Sequence, residues 1–200
     1  LMTLIEVMTN PMLVVTVEVA SESGPRLATI WGTTRRAVVG ATDDSHRFDL
    51  IQIDPGLLPF HVAQTTRLIP QPRPPFTGRF SLGADALDLA ETLRSVDPPT
   101  AELALANAGI PSPWGDRLLI ALAHRRSWWT VKSIWLGDRG RGQAQLAILD
   151  AGPAGYWRLT GDRQADRIQL AVTDFDTIMQ DLGKLLPAAP SSGRMGLAPT

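Results

Sequence analysis

One order of elements, four short strands followed by a helix, occurs twice in this 200-residue chain, and it constrains the fold more than any single motif does. In the first copy, Met12 to Val19 is β-branched and partly alternating, Ser21 to Pro25 breaks it, and apolar runs follow at Leu27 to Trp31, Arg36 to Ala41 and Phe48 to Ile53. Asp54-Pro55-Gly56 ends the last strand, and Leu58, Val62, Thr65 and Ile69 carry helical spacing. In the second copy, strands are expected at Trp129 to Trp135, Ala144 to Leu149, Tyr156 to Thr160 and Ile168 to Val172. A helix then carries Ile178, Met179, Leu182, Leu185 and Leu186, with Thr173 as its cap. The copies superpose at an offset of about 116 to 120 residues.

A four-stranded sheet with one helix buries a single face, so two such units and whatever lies between them must pack together into one α+β body. Residues 11–70 form the first sheet-plus-helix repeat, 71–80 a Pro-rich link, 81–125 a helical section and 126–187 the second repeat. Residues 188–200, small and rich in Pro and Gly, read as a disordered tail. Within 81–125, Ser81, Thr100 and Ser112-Pro113 are the expected helix starts.

Composition removes several functional classes. Nineteen basic residues face twenty acidic ones, no excess with which to grip a phosphate backbone, so nucleic acid is not an expected partner. With no cysteine, thiolate nucleophiles, Cys-based zinc sites and disulfides are excluded. No apolar run reaches the roughly 20 residues of a spanning helix, and the start lacks a basic region followed by a long apolar block. A cytoplasmic protein without membrane insertion is expected.

Catalytic signals are thin. His46, His61 and His124 lie far apart and outside metal-ligand spacings. Asp43, Asp44, Asp150, Asp174 and Asp176 all coincide with turns or helix starts, where carboxylates bond nearby backbone N–H groups. The Gly137 to Gly142 segment sits between strands with no helix N-terminus behind it, which reads as a hairpin rather than an anion site. No metal, cofactor or catalytic residue is assigned. Alternation in the aromatic strand places Trp129, Val131 and Trp135 on one face and Thr130, Lys132 and Ile134 on the other, either as core or as a partner surface.

The order of features resembles the EspG family, cytosolic chaperones of ESX (type VII) secretion in actinobacteria. The residues that carry the resemblance are Ser81-Leu82 with Asp85-Ala86-Leu87 and Ala90, the Gly109-Ile110-Pro111-Ser112-Pro113 helix start, Ile148-Leu149-Asp150, the turn containing Gly155, and the closing helix from Thr173 to Pro187. Two departures stand out: only about ten residues precede the first strand, where the family has a helical segment, and Tyr156 stands where the family has Arg. The resemblance implies a pseudo-twofold α+β fold and a non-enzymatic chaperone that binds the hydrophobic tip of PPE proteins in PE–PPE heterodimers. By position, it implies partner contacts at the loop Ser21, Glu22, Ser23, Gly24 and Pro25, at the flanking Val17, Val19, Leu27 and Thr29, and at Leu118 and Leu122. Two alternatives are a protein of the same fold that self-associates through its sheet, and a small hydrolase using His46 or His124 with an aspartate.

Overall fold

The computed structural model describes residues 2–42, 48–72, 74–93, 96–137, 140–162 and 166–185. The chain runs α1 (Met2–Thr9), β1 (Leu13–Ser21), β2 (Arg26–Gly32), β3 (Ala37–Thr42), β4 (Phe48–Ile53), α2 (Leu58–Thr66), β5 (Arg79–Gly83), α3 (Ala84–Leu93), α4 (Pro98–Asn107), α5 (Ser112–Ala123), β6 (Ser127–Gly137), β7 (Gly140–Asp150), β8 (Tyr156–Asp162), β9 (Arg167–Thr173) and α6 (Phe175–Leu185). It is an α+β fold built on a large antiparallel sheet, as the sequence led us to expect.

The expected two four-stranded sheets are one sheet of nine strands, in the order β4-β3-β2-β1-β6-β7-β8-β9-β5. The repeats join edge to edge rather than face to face. β1 and β6 pair antiparallel from Leu13 opposite Trp135 to Ser21 opposite Ser127, so hydrogen bonds satisfy the inner edge of each repeat. The strand order reads the same outward from this junction for four strands on either side.

Strand alternation divides the side chains between two faces. On one face Val15, Val17, Val19, Ile30, Val39, Trp129, Val131, Leu146 and Ile148 form a core with Leu58 and Val62 of α2 and Ile178 and Leu182 of α6. The two helices touch each other across the β1–β6 junction. Buried Ser133 donates to the Leu185 carbonyl at 2.9 Å, and Arg158 pairs with Asp181, so β6 and β8 both hold α6. The opposite face has a second core beneath α3, α4 and α5, where Leu82, Leu149, Trp157 and Leu170 meet Leu87, Leu105, Leu118 and Leu122.

Several local expectations need correction. Ser81 does not cap a helix; it lies inside β5, which occupies the free edge of β9, and the helix begins at Ala84. The Pro-rich link therefore ends in a strand. Asp97, not Thr100, caps α4, accepting from the Thr100 N–H at 3.3 Å, and Pro98 and Pro99 fill the first turn, where missing N–H groups cost little. Asp174, one residue beyond Thr173, accepts the Thr177 N–H at 2.8 Å at the start of α6. α5 begins at Ser112 behind Pro111, with no side-chain cap. α1 was not anticipated; it lies against β2 and β3, where Val7 and Val38 are buried. His46, with its turn, and the tail 188–200 fall outside the described residues.

The two repeats are also stapled after α2. The Tyr156 hydroxyl donates to the Ile69 carbonyl at 2.8 Å and accepts from the Ile69 N–H at 3.3 Å. Buried Asp150 accepts from Gln71 at 3.1 Å and from the Gly152 N–H at 2.9 Å. Gly155, at φ +85°, carries no side chain where Pro74 packs; a Cβ there would lie 2.4 Å from the proline ring. Burial is the main influence pushing the Tyr156 phenol up from its ordinary value near 10, and the neighbouring Asp150 carboxylate adds to it.

Two predictions follow from this packing. Val17→Asp places a carboxylate in the central core and should abolish folded protein, a cost above about 3 kcal/mol. Thr16→Asp, one residue away and opposite Lys132, should cost no more than about 1 kcal/mol in a denaturant titration. For Tyr156, the folded state holds the phenolic proton more tightly than the unfolded chain. Its contribution is therefore complete below pH 10 and is lost as pH rises through the higher folded value. Tyr156→Phe should lower stability at neutral pH by about 1 kcal/mol and flatten the alkaline limb of the stability profile.

Candidate partner-binding surface

The two faces of the sheet are covered unequally. On the face opposite α2 and α6, α1 lies on β2 and β3, and the three central helices cover the β7-β8-β9-β5 end. Between them, among the described residues, runs an open strip across β2, β1 and β6. Register and alternation identify its side chains: Leu27 opposite Glu18, Glu18 opposite Thr130, Thr29 opposite Thr16, Thr16 opposite Lys132, and Ile134 beyond. Leu27 is 50% exposed, Ile134 37% and Leu136, on the same face of β6, 61%; half-buried Val14 and Trp31 lie beside the threonines and one ion pair. That pair, Lys132 to Glu18 at 3.4 Å, is solvent-exposed and contributes little to stability. The strip offers apolar contact at its ends and hydrogen-bonding groups between them.

The loop Ser21 to Pro25 borders this strip. Its turn is closed locally: the Gly24 N–H donates to the Ser21 carbonyl at 3.0 Å, and the Ser21 hydroxyl donates to the Gly24 carbonyl at 2.9 Å. Gly24 sits at φ +104°, which a side chain would strain. Glu22, Ser23 and Pro25 are exposed on this braced turn.

Of the residues expected at the contact surface, Leu27 and Thr29 lie on the open strip and Ser21 to Pro25 at its end. Val17 and Val19 do not. They are 0% and 2% exposed and point into the α2/α6 core. The expectation took the apolar phase of β1, whereas the open face belongs to the polar phase, Thr16 and Glu18. Leu118 and Leu122 are likewise fully buried, on the sheet-facing side of α5, while Ile120 between them faces solvent. Val17 and Val19 lie beneath the strip and Leu118 and Leu122 in the neighbouring core, so the four residues cannot touch a partner in this conformation.

Thr16, Glu18, Lys132 and Ile134 were missed as surface residues. The signal was present in Leu13-Val14-Val15-Thr16-Val17-Glu18-Val19, whose polar positions alternate from Thr16 onward. The aromatic strand resolves the same way: Trp129 and Val131 are core, and Ile134 and Lys132 belong to the strip. Trp157, fully buried, packs with Phe76, Phe80 and Trp114 at ring-centroid distances of 6.0 to 6.3 Å.

Among the described residues no cluster of three or more His, Asp or Glu side chains is placed to hold a metal ion. His61 lies on α2 and His124 at the C-terminal cap of α5, and Asp150 is engaged in its turn. Among the described residues, too, no helix is long and apolar enough to cross a membrane.

No family model matches the sequence, and no curated protein matches it. Solved structures do match in fold. The Mycobacterium tuberculosis type VII secretion system chaperone EspG5, solved in complex with a PE25–PPE41 dimer, is similar over 92% of this chain and 76% of its own, at a TM-score of 0.61 and 12% sequence identity. At that identity the likeness is one of architecture, and the nine antiparallel strands and six α-helices of the described residues make an EspG-like α+β fold.

Proposed function

We propose that this chain is an EspG-like chaperone that covers the hydrophobic tip of a PPE subunit in a PE–PPE heterodimer and keeps the pair soluble in the cytoplasm for type VII export. The observation that carries this reading is the open strip, a half-sheet face left uncovered between two helical layers in a fold shared with a PE–PPE-bound chaperone. An aggregation-prone apolar tip needs a surface that removes it from water without catalysis. A rigid sheet suits that task because its side chains are already ordered before binding, which limits the entropy lost on association.

In this reading Leu27 and Ile134 supply the apolar contact, Thr16, Thr29 and Thr130 hydrogen bonds, and the braced Ser21 to Pro25 turn a projecting edge. Near-neutral net charge favours recognition by shape and apolar burial over long-range steering.

The test is co-purification of the full chain with a PE–PPE pair encoded in its own genome, followed by size exclusion with mass detection. A complex of defined stoichiometry is expected. Leu27→Asp and Ile134→Asp should each weaken it at least about tenfold while leaving circular dichroism unchanged, because both side chains are solvent-exposed. Phe60→Ser, on α2 across the sheet, should leave binding intact. Failure of every such pair to bind would remove the chaperone assignment.

A further inference from the structure

The two ends of the sheet are finished differently. β9, the last strand of the second repeat, has its outer edge covered by β5, paired from Arg79 opposite Ala171 to Gly83 opposite Arg167. β4, its counterpart in the first repeat, ends the sheet. Its outward backbone groups have no strand partner among the described residues. Exposed edges of this kind are usually blunted by Lys, Pro or a bulge. β4 reads Phe-Asp-Leu-Ile-Gln-Ile in unbroken register with β3, so Lys, Pro and a bulge are absent and its one charge is the exposed Asp49. Instead Leu50 and Ile51 are exposed on opposite faces of the sheet, Ile51 at 56%.

We propose that the β4 edge pairs with the same strand of a second copy of this chain, antiparallel and centred on Ile51. The molecule already contains one junction of this design, since β1 and β6 join two units of like element order edge to edge and antiparallel. A two-fold axis perpendicular to the sheet repeats that design at β4 and keeps each face on its own side. Centred on Ile51, the pairing runs over residues 49 to 53 of both copies. Ile51 then meets its own counterpart, Leu50 meets Gln52, and Asp49 meets Ile53, so the strand's one carboxylate faces no like charge. The open strip lies on β2, β1 and β6, with β3 between it and the new junction at β4, and stays accessible in the dimer. The surface is thus independent of the proposed chaperone role.

The test uses the full chain in a concentration series by size exclusion with mass detection. The mass should rise twofold, from one chain to two. Ile51→Lys and Ile51→Glu each oppose like charges across the axis and should stay at one chain, with circular dichroism unchanged; mixing the two variants should restore the two-chain species. Because the chain has no cysteine, Ile51→Cys supplies an independent readout. Directly opposite Cβ atoms lie within disulfide reach, so mild oxidation should give a covalent dimer, whereas Leu103→Cys, exposed on α4, should not. A one-chain mass for the unmodified protein at every concentration would overturn the proposal. So would a dimer that survives both charged variants, or a mixture that fails to pair.

Discussion

The β1–β6 pairing is the interaction on which the rest of the structure depends. Each repeat alone is a four-stranded sheet with a helix on one face and an inner edge whose backbone groups have no strand partner. Joining the two inner edges pairs nine residues of β1 with β6, satisfying the backbone groups that point away from β2, and brings Val17 opposite Val131 beneath α2 and α6. The helices then meet each other over the seam, so the largest core straddles the junction and belongs to neither repeat. The Tyr156–Ile69 and Asp150–Gln71 bonds hold the chain leaving α2 against the far repeat.

The open strip arises from an asymmetry laid over this near-symmetric frame. Residues between the repeats fold into β5, α3, α4 and α5, and all of these dock on the second repeat's half of the sheet. Among the described residues, the first repeat receives only the short α1 on the corresponding face. The same insertion that builds a second core over β7, β8 and β9 therefore leaves β1, β2 and β6 uncovered between two helical walls. Aromatic packing fixes the far wall, with Phe76 and Phe80 from the link seated against Trp114 and Trp157 and the Arg117 guanidinium 4.3 Å from the Phe76 ring centre.

Strands and helices of the two repeats were legible because their signals are local: β-branched alternation, turn residues and 3.6-residue spacing. The sheet's continuity was not, because edge pairing between residues more than a hundred positions apart leaves no trace in either segment alone. β5 was hidden for a related reason: Arg79-Phe80-Ser81-Leu82-Gly83 becomes a strand through the vacant edge of β9, and in isolation Ser81 reads as a cap. At the candidate surface, Leu27, Thr29 and the Ser21 to Pro25 turn were named through family resemblance, and the structure leaves them exposed or half-buried. Val17, Val19, Leu118 and Leu122 went astray because position along the chain was carried over without asking which face of the element each residue occupies. Alternation would have reassigned the two valines; the leucines needed knowledge of where α5 docks.

The seam has a consequence for biosynthesis. β1 is complete once Ser21 has been made, yet its partner is not whole until Gly137, roughly 116 residues later. At about 5 to 20 residues per second, a nascent chain waits on the order of 6 to 23 seconds with the inner edge of its first repeat unpaired. The loop that must close to form the seam is long, so the step is slow on entropic grounds as well. Until then the valine-rich β1 presents an open edge to which another chain could pair.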